Sequence, residues 1–313
     1  MNLATGIPTV DAREIEIDLH RFGQSLGQAW TDTGFVAVTD HGIDTAVIEN
    51  CMGAARSFFE LPEATKMKYC VEGGGGQRGY TPLGVETAKN ASIPDRKEFW
   101  HVGRNLPSDD PLRSRMPDNL WPEDVSNFQD SCAAFYSEMD DLGRRLLGAV
   151  AMYLGQESNF FESRVAGGNS ILRLLHYPPC DTPEPGERAA AHQDINVITL
   201  LVGADQAGLE ILRRDGQWVP VHADSSAIVC NVGDMLERVT NQILPSTTHR
   251  VIRPADSAAG ISRYSIPYFL HFAPDVVIET LPGCATEDNP NRYPEPITAQ
   301  AFLERRLAEI GLN

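Results

Sequence analysis

The sequence predicts an α+β fold in which a helix-rich first half packs on a β core. Three observations predict it. Apolar residues recur every three or four positions through 17–30, 44–59 and 122–153, the period of helices with one buried stripe. From Ser170 onward the pattern changes to short runs rich in β-branched and aromatic residues, cut by turn residues. No internal repeat and no long linker divides the chain. A single domain over 1–313 is therefore expected, with helix-rich 1–165 packed on a β core at 166–280 and a C-terminal helix at 298–310.

Taken in order, IPTVD (7–11) reads as a first short strand. A helix follows from Ile17 to Trp30, carried by Leu19, Phe22, Leu26 and Trp30, and Gly34 can close it. FVAVT (35–39) is a strand, and Asp44 can cap a second helix running to about Phe59. Pro62 suits the first turn of a short continuation. The four glycines 73–76 are followed by no G-K-[ST], so they read as a loop rather than a phosphate cradle. The polar stretch 78–100 reads as irregular, and 105–122 as a connecting loop. Pro122 opens a long helix whose stripe runs from Val125 through Phe135 and Leu146 to Tyr153, about 45 Å at 1.5 Å per residue, and Gly155 ends it. Strands are then expected at 170–177, 194–202, 208–213, 217–221, 226–231, 248–253 and 262–270. Asp215-Gly216, Gly233-Asp234 and Pro254–Asp256 serve as bends between them. Many short, closely spaced strands mean a sandwich or barrel, and a jelly roll is the two-sheet form that often holds a metal.

Composition excludes several functions. Of the 313 residues, 42% are apolar and 22% charged, the balance of an ordinary globular protein. No apolar run approaches the ~20 residues needed to span a bilayer. The first residues lack the basic start and apolar stretch of a secretory signal. A formal charge of −17 argues against nucleic acid or an anionic membrane as partner. Six dispersed cysteines with no C-x-x-C pair argue against a zinc knuckle and fit a reducing, cytoplasmic setting.

The chemistry-bearing residues begin with His192-Gln193-Asp194. On a strand, side chains two apart share a face. His192 and Asp194 can then grip one metal, with His249, at the head of a later strand, as third ligand. Two imidazoles and one carboxylate leave positions open on the metal, which suits oxygen chemistry at iron(II). A bare H-x-D also describes a simple hydrogen-bonded pair, whereas the helical zinc pattern H-E-x-x-H is absent. Arg263 and Ser265 share a strand face and make a clamp for a carboxylate, or alternatively a surface ion pair. Tyr177 can donate to the same carboxylate or serve as a core tyrosine. Pro267 implies an edge, a bulge or a bend. His41, His176 and His271 read as structural, and Trp100 and Trp218 as core.

With these residues in place, the sequence resembles the iron(II)- and 2-oxoglutarate-dependent oxygenases of the isopenicillin N synthase-like family. The matching segments run nearly end to end. They include GFVAVTDHGI (34–43), RGYTPLG (78–84), LLHYPPC (174–180), HQD (192–194), NVGDMLERVTN (231–241), STTHRV (246–251) and RYSIPYFLHF (263–272). The resemblance implies a double-stranded β-helix (jelly-roll) core flanked by helices, with His192, Asp194 and His249 as iron ligands. It implies Arg263 and Ser265 as the grip on the distal carboxylate of 2-oxoglutarate, helped by Tyr177. The implied reaction uses O2 to oxidise an unactivated C–H bond of a small molecule by hydroxylation, desaturation or cyclisation, releasing succinate and CO2. Two alternatives are an oxidase of the isopenicillin N synthase type, which uses no 2-oxoglutarate, and a non-catalytic member that binds metal or carboxylate. Tyr80 and Phe269 are candidate substrate contacts, and 86–121 a candidate lid. Two departures stand out: Leu175 occupies a position where many relatives have Asn, and Pro267 follows Ser265 by two.

Overall fold

The computed structural model describes residues 6–72, 76–85, 95–179, 188–203, 208–252 and 261–309. Glycines 73–75, the 86–94 part of the candidate lid and the bend Pro254–Asp256 lie outside them. The strands are β1 (Thr9–Asp11), β2 (Phe35–Thr39), β3 (Gly79–Thr81), β4 (Glu98–Gly103), β5 (Ile171–Tyr177), β6 (Ala189–His192) and β7 (Ile198–Val202). They continue as β8 (Leu209–Leu212), β9 (Trp218–Pro220), β10 (Ile228–Val232), β11 (His249–Val251), β12 (Arg263–Leu270), β13 (Val277–Ile278) and β14 (Ile297–Thr298). The helices are α1 (Glu14–Ile17), α2 (Leu19–Thr33), α3 (Thr45–Phe59), α4 (Glu63–Lys66), α5 (Phe128–Tyr153), α6 (Glu162–Val165), α7 (Asp234–Val239) and α8 (Ala299–Glu309).

Alternation along the strands builds a jelly-roll core. An eight-stranded sheet runs β1-β2-β10-β7-β12-β5-β4-β3, and a four-stranded sheet runs β6-β11-β8-β9. One face of the large sheet, with Trp100, Leu174, Leu200, Cys230 and Tyr268, packs on apolar residues of α2, α3 and α5 such as Trp30, Phe58 and Leu146. Each such large side chain contributes about 1.5–3 kcal/mol on burial. The opposite face places Phe35, Ala37 and Val229 against Ala189, Leu209, Ile211 and Val251 of the small sheet. The space between the two sheets is where the candidate ligands lie.

The expected helical half also supplies β1 to β4, half the strands of the large sheet. β3 and β4 run through the stretch expected to be irregular. The polar residues that suggest a loop are buried and satisfied there. Glu98 accepts hydrogen bonds from Lys66 (2.7 Å), from Tyr80 and from His176 Nδ1 (2.7 Å). The first expected helix is α2, which begins at Leu19 rather than Ile17, behind the single turn α1. Asp18 leaves helical geometry (φ −154°) and its carboxylate accepts from the Arg21 N–H at 3.0 Å, capping α2. Asp44 caps α3 as expected, accepting from Ala46 N–H at 2.9 Å. The long helix starts at Phe128, not Pro122. The preceding residues turn instead, held by Tyr69, whose hydroxyl donates to Asp124 (2.8 Å) and accepts from the Glu123 N–H (3.1 Å). Pro267 is in a central strand, so the edge is excluded. Pairing toward β7 continues through it, while pairing toward β5 breaks between Ser265 and Tyr268. Among the described residues no helix is long and apolar enough to cross a membrane.

Candidate metal centre and cavity

His192 and Asp194 do not share a strand. His192 ends β6 in the small sheet, and Asp194 lies in the crossing to β7 in the large one. The convergence has a different origin. β6 and β11 pair antiparallel with His192 directly opposite His249, which brings the ring centroids to 4.3 Å. The crossing then carries Asp194 under both rings. Its Oδ1 is 3.8 Å from Nε2 of His192 and 3.8 Å from Nε2 of His249. All three donor atoms lie within 4.8 Å of one another.

Hydrogen bonds set the orientation of each group. His192 Nδ1–H donates to the Ala190 carbonyl at 2.7 Å, and His249 Nδ1–H to the Thr247 carbonyl at 3.1 Å. Each ring therefore turns its Nε2 lone pair inward, as a metal-binding imidazole requires. Enclosure, and then the nearby His249, pushes His192 down to about 4, so the ring is neutral near pH 7. Asp194 Oδ2 accepts from Asn231 Nδ2 (2.8 Å) and Thr199 Oγ1 (2.6 Å), leaving Oδ1 to the imidazoles. Burial pushes the Asp194 carboxyl up, but the two histidines, Asn231 and Thr199 outweigh it and hold it below its ordinary value. Two neutral nitrogens and one oriented carboxylate oxygen fit iron(II).

The crossing is anchored by α7. The Asp234 N–H donates to the Asp194 carbonyl (2.8 Å), and the Gly233 N–H to the Val197 carbonyl (2.9 Å). Gly233-Asp234 is thus a helix opening rather than a bend between strands. A Cβ on Gly233 would stand 2.2 Å from the Asn196 carbonyl oxygen, which explains the glycine. Sequence reasoning misses Asn231 and Thr199. Asn231 does carry a signal: it is the polar residue in the apolar run AIVCNV. Asn231→Ala is expected to weaken metal affinity about 10- to 100-fold by releasing Asp194. Titration of the folded variant with Mn(II) checks this; unchanged affinity would assign the orientation to Thr199 alone.

A cavity of about 670 Å³ opens between the sheets, lined by His192, Asp194, Phe269, Lys97 and His271, with Leu303 of α8 on its wall. Tyr80 also borders it, yet its ring packs against Phe58 on the helical side and its hydroxyl is held by Glu98. That side-chain placement does not suit the substrate contact expected of Tyr80. Arg263, Ser265 and Tyr177 form a separate buried cluster on the cavity-facing side of the large sheet, outside the cavity lining. Arg263 pairs with Tyr177 across β12 and β5, with its guanidinium 5.2 Å from the Tyr177 ring centre and 3.5 Å from Ser265 Oγ. Leu175, opposite Ser265, packs with Phe99 and Tyr177, so the apolar departure is absorbed by an apolar cluster. His41 and His176 are structural. His41 Nδ1 accepts from the Ile43 N–H, and His176 joins Glu98 to Ser262.

Two family models match the chain. One, described as non-haem dioxygenase in morphine synthesis N-terminal, covers residues 7–124. The other, 2OG-Fe(II) oxygenase superfamily, covers 168–272. A 2-oxoglutarate-Fe(II) type oxidoreductase of Emericella nidulans is 33% identical over 90% of this chain and 82% of its own length. A 2OG-Fe(II) oxygenase family protein from Caulobacter crescentus is 48% identical, with a TM-score of 0.93 over 98% of this chain and 100% of its own. A full-length Neurospora crassa protein, solved with alpha-KG, is 29% identical, with a TM-score of 0.85 over 96% of this chain and 95% of its own. The same Neurospora protein has been solved with alpha-KG and thymine.

Proposed function

The chain belongs to the 2OG-Fe(II) oxygenase superfamily, and from that premise we propose that His192, Asp194 and His249 hold the iron and that Arg263, Ser265 and Tyr177 anchor 2-oxoglutarate. The protein is an Fe(II)- and 2-oxoglutarate-dependent dioxygenase acting on a small molecule. Bound iron(II), with 2-oxoglutarate and O2, supplies oxidation of a substrate C–H bond coupled to release of succinate and CO2.

The observation that carries the residue assignment is Asp194 Oδ1 facing both imidazole Nε2 atoms. The backbone carbonyls of Ala190 and Thr247 hold the imidazole tautomers. Asn231 and Thr199 stop the carboxylate from rotating away. Arg263 offers a buried fork for a carboxylate, with Ser265 beside it. The two sheets and Leu303 of α8 wall the cavity in which His192 and Asp194 stand. Phe269, on the cavity wall, supplies an apolar surface to the substrate. The reaction outcome is hydroxylation, desaturation or ring closure of an unactivated C–H bond. Cytoplasmic residence is supported by Cys51, Cys70, Cys132, Cys230 and Cys284 all being free thiols.

Quantifying succinate against oxidised substrate tests this. One succinate per product is expected. Turnover without succinate would instead mean that the substrate supplies all the electrons.

A further inference from the structure

The chain just beyond β12 and just before β5 carries two polar side chains into the cavity wall. Phe269 pairs on one side with Thr199, whose hydroxyl donates to Asp194 Oδ2 at 2.6 Å, and on the other with Ile171. His271 comes two residues after Phe269, and Asn169 two residues before Ile171. The antiparallel register, carried on by that step, brings His271 and Asn169 level. Contacts at the strand ends agree. The His271 backbone N–H donates to Ser170 Oγ at 3.2 Å, and a Cβ on Gly168 would stand 1.9 Å from the His271 carbonyl oxygen. Asn169, Ile171, Phe269 and His271 all line the cavity. Arg263 opens β12 at its other end, so 2-oxoglutarate anchored there leaves this end to the substrate.

Both polar groups at this end are neutral donors. His271 is 7% exposed, and burial, outweighing the upward pull of the Asp194 charge, pushes its imidazole down to about 4, so the ring is neutral near pH 7. Its Nδ1 is enclosed and has no hydrogen-bond partner among the described residues. A buried N–H is left unpaired more rarely than an acceptor lone pair, so the proton belongs on Nε2. Asn169 is oriented by Arg78, whose guanidinium donates to Asn169 Oδ1 at 3.3 Å. Arginine only donates, so the amide oxygen faces it and the Nδ2 hydrogens point elsewhere. Arg78 is itself held by the Pro117 and Gln77 carbonyls at 3.1 and 2.7 Å, so the amide is set from a fixed point. Leaving such donors unpaired costs free energy, which an acceptor on a ligand recovers. Two neutral donors suit a carbonyl oxygen with its two lone pairs. Neither brings the opposite charge that a buried carboxylate needs.

We infer that the substrate presents an uncharged carbonyl oxygen to His271 and Asn169 and lays its apolar body on Ile171 and Phe269. The inference rests on the proposed metal centre and on 2-oxoglutarate at Arg263. The two donors stand one side-chain step, about 7 Å of extended chain, past Phe269. The C–H bond to be oxidised then belongs to the apolar body beside Phe269, level with Thr199 and its partner Asp194.

The test uses full-length protein loaded with Mn(II) and saturated with 2-oxoglutarate. Mn(II) supports no turnover and relaxes the protons of a ligand bound near it, so ligand-detected NMR reads weak binding and proximity to the metal together. Protein loaded with Zn(II) gives the diamagnetic blank. Acetophenone and benzamide are titrated beside ethylbenzene, which lacks the oxygen, and benzoate. Both carbonyl compounds are expected to bind about tenfold more tightly than ethylbenzene, and benzamide at least as tightly as benzoate. His271→Phe keeps the ring volume and is expected to erase most of that tenfold preference. Asn169→Asp keeps the size and the Arg78 contact but loses the donors, and is expected to do the same. His271→Gln, which restores an N–H donor, is expected to recover part of it. Unchanged Mn(II) and 2-oxoglutarate affinity in each variant controls for folding. Ethylbenzene binding as tightly as acetophenone would overturn the inference while leaving the cosubstrate assignment standing. So would benzoate binding more tightly than benzamide, His271→Phe or Asn169→Asp keeping the full carbonyl preference, or no binding by any of the four compounds. Failure of Mn(II) or 2-oxoglutarate to bind the parent protein would overturn the functional reading, and the inference with it.

Discussion

Asp194→Ala is expected to abolish metal binding and turnover together. The carboxylate is the only anionic donor of the cluster His192, Asp194 and His249. Its Oδ1 is the point on which both imidazoles converge, each at 3.8 Å. Loss of an outer partner of a ligand costs about 10- to 100-fold in metal affinity. Loss of the ligand itself is expected to exceed that range and to leave activity at background even with excess iron. Asp194→Asn should fare as badly, because it keeps the volume but removes the charge and turns an amide toward the Asn231 amide. Metal titration, with thermal melting to confirm that the chain folds, reads the result. A variant that still turns over near the parental rate would remove Asp194 from the centre.

Arg263→Gln carries the second large effect. The guanidinium is 2% exposed, and the Tyr177 ring and Ser265 Oγ flank it. Removing one member of a buried, charge-assisted pair costs about 2–5 kcal/mol. At about 1.4 kcal/mol per tenfold, that raises the 2-oxoglutarate requirement from roughly 30-fold to several thousandfold. Metal affinity should stay put, because Arg263 touches none of the three metal donors. A parallel loss of metal binding would mean that the variant had collapsed the sheet. An unchanged 2-oxoglutarate requirement would move the cosubstrate elsewhere in the cavity.

The cluster of candidate ligands is legible in the sequence, but for partly the wrong reason. Alternation is local and H-x-D fits it, so the sequence predicts His192 and Asp194 on one strand. In the molecule the two residues straddle a crossing between sheets, and the alignment of the histidines comes from the β6–β11 register. That register is a long-range property, set by which strands pair. The same limit explains β3 and β4. Their polar residues look solvent-bound until Lys66, Tyr80 and His176 are brought to Glu98. Tyr80 borders the cavity but turns its ring toward Phe58, an orientation that sequence position alone does not reveal. His271 reads as structural because nothing local distinguishes it. Only its place at the end of the β12 row puts it in the cavity wall.

The chain's own periodicities determined the kinds of element, the two-layer β core and the identity of the chemical groups, since these follow from side chains acting within a few residues of each other. Tertiary structure alone decided which strands face one another, which atoms of His192, Asp194 and His249 converge, and which side chains wall the cavity beside them. Packing two sheets and a helical layer is a choice among distant pairings, and the free energy that selects one of them resides in contacts between residues far apart in sequence.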